Sequence, residues 1–283
     1  MELKHIAIRA GRLSSFLKNE MGMSTGLVNR LKWQGKILVN GKPEHNDFSV
    51  QVGDVITALL DEEKPEYPPE DGELTVLYED DHILAVDKPA GMLIHPSHAT
   101  MTGTLANRVA AYFQKTGQNC AFHPVTRLDR DTFGIVLLAK NAHVHALLNQ
   151  LHSEGKLQKT YHALVLGGPE EDAGVIDAPI DRRPLPSLLR YVNQNGKPSL
   201  TRYRVLERRE KTSLLALQPV TGRTHQLRVH CAYMGFPILG DPQYGGETAQ
   251  AMRPNGQALC AKKLTFIHPV TGQEMVLQSK LDV

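Results

Sequence analysis

The sequence predicts an α+β protein with a small basic module at residues 1–60, an acidic proline-rich linker at 61–73 and a larger mixed-sheet domain at 74–283. Three observations carry this reading. Charge is partitioned: 8 Lys or Arg face 5 acids in 1–60, 1 faces 10 in 61–81, and 23 face 15 beyond, giving nets of +3, −9 and +8. The strand and helix signals are intermixed without a regular βαβ period, which favours a mixed sheet over a doubly wound parallel one. The stretch DEEKPEYPPEDGE, with Pro65, Pro68 and Pro69, offers few groups to a core and reads as a boundary.

In the first module, Ser24 or Thr25 is placed to cap a short helix whose Leu27, Val28 and Leu31 share one face. KILVNGKP reads as a strand entering an Asn40-Gly41 turn, and VGDVITALL as a turn and a second strand. Arg30, Lys32, Lys36 and Lys42 are left as exposed basic groups around that helix and hairpin. Beyond the linker, LTVLYEDDHILAVDKP reads as two strands meeting at an acidic turn, followed by the loop PAGMLIHPSH. Leu105, Val109 and Tyr112 follow helical spacing over about residues 104–115. FGIVLLAKN reads as a buried strand, Ala142 to His152 as a helix closed by Gly155, and TYHALVLGG, LTRYRVLER and SLLALQPV as strands. GRTHQLRVHCAYMG reads as a turn feeding a helix that stops at Gly235.

Composition excludes several classes. Hydrophobic residues at 41% and charged residues at 22% argue against wholesale disorder. No stretch approaches the roughly 18 apolar residues of a membrane span, and the N-terminus lacks an apolar signal core, so a cytoplasmic protein is expected. Cys120, Cys231 and Cys260 are odd in number and unrelated in spacing, which fits reduced thiols. His225 and His230 with Cys231 lack zinc-site spacing and read as helix-surface or RNA-facing groups; no metal is expected. Gly91, Gly222 and Gly240 form neither a GxGxxG nor a Walker A pattern, so no nucleotide cofactor is expected. Arg202 and Arg204 alternate on one face of RYRVLERREK, as on a solvated strand or an RNA track. Two basic blocks flanking an acidic spacer suit a polyanionic partner.

The densest polar cluster is HPVTRLDRDTFG, residues 123–134, two carboxylates and two guanidinium groups entering the apolar run IVLLAK. A carboxylate at the mouth of a buried strand has rigid support, and neighbouring arginines favour its ionised form. Asp129-x-Asp131-Thr132 also resembles the nucleophile motif of haloacid-dehalogenase-type phosphatases. There, however, the acids follow a hydrophobic strand, whereas here the strand follows the acids and Pro124 spoils the residues before them.

The cluster is similar to the signature of the RluA/RluD family of pseudouridine synthases, usually written HRLDRDTSG. Arg127 to Thr132 and Gly134 match, with Thr126 in place of His and Phe133 in place of Ser. Four further stretches resemble the family in its order: ILAVDKPAGMLIHPS, KTYHALVLG, TGRTHQLRVH and ILGDPQYGG. The resemblance implies a mainly antiparallel sheet of the pseudouridine synthase fold and a cofactor-free isomerisation of uridine in structured RNA. It implies Asp129 as catalytic carboxylate, Tyr161 as active-site tyrosine, Arg228 as the partner of Asp129, and Leu227 beside the target base. Arg127, Arg130 and Arg223 are the further substrate-binding candidates.

The chemistry suits these residue types. Breaking the bond between ribose and uracil N1 leaves electron deficiency at the anomeric carbon, which a carboxylate can stabilise, attack, or relieve by removing a C2′ proton. A buried uridine must first be flipped out of its stack. Residues 11–60, through GRLSSFL, GKILVNGK and VQVGDVI, resemble a ribosomal protein S4-like RNA-binding domain, with Arg30, Lys32, Lys36 and Lys42 as its RNA-binding groups. That tilts the expected target to large-subunit ribosomal RNA, with transfer RNA, or a non-catalytic ribosome-associated role, as alternatives. A monomer is the simplest expectation.

Overall fold

The computed structural model describes residues 2–61, 66–97, 100–184, 186–187, 189–253 and 255–283. Pro65 in the linker and His98 at the end of the predicted PAGMLIHPSH loop lie outside the described residues.

The N-terminal part contains β1 (Glu2–Ile6), α1 (Thr25–Trp33), β2 (Ile37–Val39), β3 (Lys42–Pro43) and β4 (Val55–Leu59). The four strands form one sheet in the order β1-β4-β2-β3. Ser24 caps α1 by accepting from the Leu27 amide at 3.2 Å. Asn40 and Gly41, at φ 50° and 81°, make the predicted hairpin turn. Leu13, Phe16, Leu17, Val28, Leu31, Ile37 and Ile56 close a core of their own, which Val270 of the larger part also touches.

The larger part is a ten-stranded, mainly antiparallel sheet. Its main elements are β5 (Thr75–Glu79), β6 (Ile83–Lys88), α2 (Leu105–Lys115), β7 (Phe133–Ala139), α3 (Ala142–Ser153), β8 (Gln158–Leu166), β9 (Ala173–Asp177), β10 (Leu200–Arg208), β11 (Thr212–Pro219), α4 (Gln226–Tyr233), β12 (Leu259–Ile267) and β13 (Glu274–Gln278). The strand order is β9-β10-β11-β8-β12-β7-β6-β5, with β13 beside β12 and the two-residue strand His123–Pro124 beside β7. All seven residues of β7 are buried because both of its faces are covered. Ile135 and Leu137 point into the layer containing α3, while Val136 and Leu138 meet Leu105, Val109 and Phe113 of α2. The predicted helix ends hold at Gly155 and Gly235, which take positive φ just past their helices; at the other ends, Thr104 and Asn107 form a capping box on α2 and Asn141 caps α3.

Three expectations need correcting. First, two strands were unforeseen: β12 in LCAKKLTFI supplies the centre of the sheet and β13 in EMVLQ pairs with it off the main path, while β12 runs parallel to β7 through Phe133↔Cys260 and Gly134↔Ala261. Second, residues 66–73 are not a free spacer. Tyr67 packs onto the α2 core, the Pro68 carbonyl accepts from Asn107 Nδ2 at 2.9 Å, and Glu70 and Asp71 pair with Arg108 and Lys115. Third, Lys36 is half-buried and bonded to Asp61, which also lies 3.6 Å from Arg30, so the first acid of the linker neutralises part of the basic patch.

Gly134 makes the parallel contact possible. At φ 106° a Cβ there would stand 2.5 Å from the Ala261 carbonyl oxygen and 2.7 Å from its nitrogen. Gly134→Ala therefore combines backbone strain with a backbone clash and is expected to cost about 3 kcal/mol. Urea denaturation of the purified variant measures this.

Candidate active site

The loop before β7 carries Asp129 and is braced from several directions. Thr126, where the family signature has His, is buried and its Oγ1 accepts from the Leu137 amide at 2.9 Å, tying the start of the loop to β7. Phe133, in place of Ser, is buried, with the Arg253 guanidinium 6.0 Å from its ring centre. Thr132 Oγ1 accepts from Gln257 Nε2. Lys88, at the end of β6, is fully buried, and its ammonium donates to the carbonyls of Pro89, Met92 and Arg130 at 2.8–2.9 Å. One cation thus staples the PAGM loop to the Asp129 loop.

Arg228, on α4, holds the carboxylate itself. Its Nη1 donates to Asp129 Oδ2 at 3.0 Å, while Nε and Nη2 grip Asp241 at 2.7 and 2.8 Å. Nη2 also donates to Gln243 Oε1 at 2.8 Å, and the Tyr244 ring lies 5.0 Å from the guanidinium carbon. The Arg228 and Asp241 side chains are 6% and 1% exposed and that of Asp129 is 31%, so the clamp is buried while the carboxylate it holds is open to a ligand. Burial alone would depress the Arg228 pKa; its bonds to Asp241 and the charges of both carboxylates outweigh that and hold it above the ordinary value.

Asp129 and Arg228 line a cavity of about 440 Å³ together with Tyr161, Leu227, Arg127 and Arg223. Tyr161 projects from β8, where a bulge between Thr160 and Tyr161 shifts the register and re-aims the side chain. Burial, then the nearby Asp129 charge, pushes its phenol pKa well above the ordinary range. Arg130 does not line the cavity; it is exposed and its Nε donates to the Gly91 carbonyl at 3.3 Å. Arg30, Lys32, Lys36 and Lys42 are not among its lining residues.

Several contributors had no assigned role in the sequence, His225 being expected only as a helix-surface or RNA-facing group. His225 precedes α4 in the left-handed region at φ 58°, an uncommon placement for a non-glycine residue. Its Nε2 lies 3.9 Å from Asp129 Oδ2 and its Nδ1 2.9 Å from the Tyr244 hydroxyl. Gln226, buried, accepts from Thr221 and the Arg223 amide and donates to Leu200 and Thr201, fixing the approach to α4. Lys159 and His152 add a 2.8 Å contact in the cavity lining. Asp241, Gln243 and Tyr244 all belong to ILGDPQYGG, the stretch that carried resemblance without a role. His230 is a correction: it is fully buried, with Nδ1 2.9 Å from Thr201 Oγ1 and Nε2 2.9 Å from the Ala178 carbonyl, so it neither lies on the helix surface nor faces RNA.

With this geometry in view, comparison with known proteins is decisive. The sequence pattern of RNA pseudouridylate synthase matches residues 82–233, a span that contains Asp129, Tyr161 and Arg228. The chain belongs to the RNA pseudouridylate synthase family. It is an RNA pseudouridine synthase, an isomerase, of the RluA type.

Among its relatives, the RNA pseudouridine synthase YhcT of Bacillus subtilis is 37% identical over 270 residues, covering 94% of this chain and 88% of that protein. The ribosomal large subunit pseudouridine synthase C of Vibrio cholerae is 33% identical over 96% of this chain and 90% of its own length. The ribosomal large subunit pseudouridine synthase D of Nitrosomonas europaea is 42% identical over 74% of this chain and 62% of its own length. The solved structure of human RNA pseudouridylate synthase domain containing 1 superimposes with a TM-score of 0.62 at 26% identity, covering 76% of this chain and 93% of that one.

The Lys88 staple in this synthase generates a stability prediction. Burial drops its pKa from 10.5 to about 8, against the opposing pull of Asp131 and Asp129. Between those values the unfolded chain binds more protons, so the Lys88 contribution to stability rises with pH across the window, and the burial cost is full below it. Lys88→Met is expected to lose about 3 kcal/mol at neutral pH by orphaning three carbonyls. Its deficit against wild type should widen from about pH 8 to 10.5, as urea denaturation at stepped pH measures.

Proposed function

We infer that Asp129 is the catalytic carboxylate and acts on a uridine held in the cavity with Tyr161 and Leu227. The observation that carries this is the 3.0 Å bond from Arg228 to Asp129, within a cavity that Tyr161 also lines. The reaction breaks the N1–C1′ bond, turns the uracil, and joins C5 to C1′; overall one proton leaves C5 and one is gained at N1, with no redox change. Stabilising C1′, attacking it, or removing the C2′ proton each requires an ionised oxygen fixed near the ribose. Arg228 fixes one oxygen of Asp129, and Asp241 in turn fixes Arg228.

Tyr161 supplies a ring to stack on uracil and a hydroxyl near it. With its phenol held neutral by burial and by Asp129, that hydroxyl is suited to donating a hydrogen bond. Arg127 and Arg223 serve as cations for the backbone of a flipped nucleotide. Arg130, exposed but outside the cavity, serves the RNA only at its rim.

The proposed substrate is large-subunit ribosomal RNA. The names of the Vibrio cholerae and Nitrosomonas europaea relatives support it. The N-terminal part supports it too, as an S4-like RNA-binding domain over 1–60 joined through 61–73 to a catalytic domain over 74–283. Its separate hydrophobic core is consistent with that division. Arg30, Lys32 and Lys42 remain candidate RNA contacts, with Lys36 shared with Asp61. The proposed setting is a cytoplasmic monomer; among the described residues no helix is long and apolar enough to cross a membrane.

Asp129→Asn is expected to lower turnover at least about 10³-fold while leaving RNA affinity near wild type. Pseudouridine mapping of total RNA from cells lacking the gene, complemented with wild type or variant, reads this out and locates the target uridine. Equal modification by both proteins would sink the assignment, and a site in transfer RNA would redirect the substrate. Tyr161→Phe, which keeps the ring, is expected to reduce single-turnover rate about 10²-fold with little change in RNA binding.

A further inference from the structure

A second cavity opens beside the catalytic one. Its volume is about 480 Å³, inside the range of about 300–1,000 Å³ found for small-ligand sites. His95, Val125, Arg127 and His152 line both cavities, so the two adjoin across these side chains. Rings dominate its wall. Tyr67, His95 and Phe122 form one group, with Phe122 edge-on to Tyr67 at 5.9 Å and to His95 at 5.2 Å. His123 and His145 form another, stacked at 5.4 Å with 28° between their planes. These side chains come from four separate pieces of chain: the linker, the loop after β6, the segment before β7, and α3.

We propose that this ring-lined cavity binds the unpaired nucleotide adjacent to the flipped uridine, its base stacking on the partly exposed rings of Tyr67, His95, His123 and His145 and Arg127 holding the phosphodiester between the two nucleotides. This rests on the reading of the Asp129 cavity as the uridine site.

Charge and ring chemistry favour a base over a phosphate here. Arg127 and Glu66 both line the cavity, so their opposite charges leave it nearly neutral. Burial, reinforced by Arg127 and opposed by Glu66, keeps the His95 pKa below its ordinary value, so its ring is largely uncharged at neutral pH. Burial, reinforced by Lys159, does the same for His152. Neutral aromatic faces bind any base by stacking, which is how proteins hold unpaired nucleotides. The position of Arg127 in both linings matches the point where the strand must pass from one base to the next. Flipping one uridine unstacks its neighbour, and the cavity receives the base so exposed.

The test uses full-length protein and 12-nucleotide single-stranded RNAs carrying one central uridine, with fluorescent 2-aminopurine immediately 5′ or 3′ of it. At protein concentrations where anisotropy reports full binding, one of the two probes is expected to be quenched by stacking. His123→Leu and His145→Asn should abolish most of that quenching and weaken binding about ten-fold. Thermal melts check that each variant is folded. A second arm leaves the protein untouched: replacing the quenched base by an abasic ribose should weaken wild-type binding about ten-fold and the variants hardly at all.

No quenching of either probe, or equal losses on the abasic strand for wild type and variants, overturns the proposal. Asp129→Asn separates this from the underlying reading. If that variant abolishes turnover while quenching is absent, only the neighbouring-nucleotide site fails. If it retains full turnover, the uridine assignment itself fails.

Discussion

The catalytic end of this synthase depends on a charge relay of position, Asp241 to Arg228 to Asp129, half of it sealed from water. A guanidinium buried without partners costs several kcal/mol, so Arg228 is tolerable only because Asp241 meets it with two parallel bonds. Asp241 is in turn oriented by the amides of Gln243 and Tyr244 at 2.9 and 3.1 Å. The remaining amino group of Arg228 reaches the only partly exposed member of the chain, Asp129. The desolvation cost is thus met inside the fold, and the carboxylate that opens to the cavity inherits a fixed position without having to be buried itself.

Around that axis, rigidity comes from different elements meeting at one loop. Lys88 closes it from β6, Gln257 from the approach to β12, Thr126 from its own strand, and α4 brings Arg228 across. Four braces, three of them from distant parts of the sequence, leave the loop few alternative conformations, the condition for a preorganised site. The left-handed His225 at the start of α4 fits the same pattern, since local strain persists where surrounding bonds over-determine the backbone.

Much of this was legible in the sequence because it is written locally. The alternating burial of β8, the Ser24 cap of α1, the glycine ends of α3 and α4 and the Asn40-Gly41 turn follow from residues within a few positions of one another. Asp129, Tyr161, Arg228 and Leu227 could be singled out because short ordered motifs contain them, and the structure gathers all four around one cavity. What escaped is non-local. Nothing near Lys88 in sequence announces that its partner carbonyls include Arg130, and Asp241 looks like a turn residue until Arg228 is seen on it. The linker misled for the opposite reason: its acidity and prolines are real, yet Tyr67 and Glu70 still find partners on α2 and the loop before it. Lys36 shows how a basic count overstates a binding face when an acid lies within reach in space.

The parallel contact between Gly134 and Ala261 also sets an order of events during synthesis. A strand from the middle of the chain is completed by one made some 125 residues later, and the loop it supports is braced by Gln257 from the same late stretch. Long-range parallel pairing forms slowly because the intervening chain must first be enclosed. A nascent chain that has emerged only as far as α4 already carries Asp129, Tyr161 and Arg228 but lacks Asp241, Gln257 and β12. Until that later stretch has emerged, Arg228 lacks the carboxylate that orients it and the Asp129 loop lacks its Gln257 brace, so the geometry of the cavity is among the last features of the fold to form.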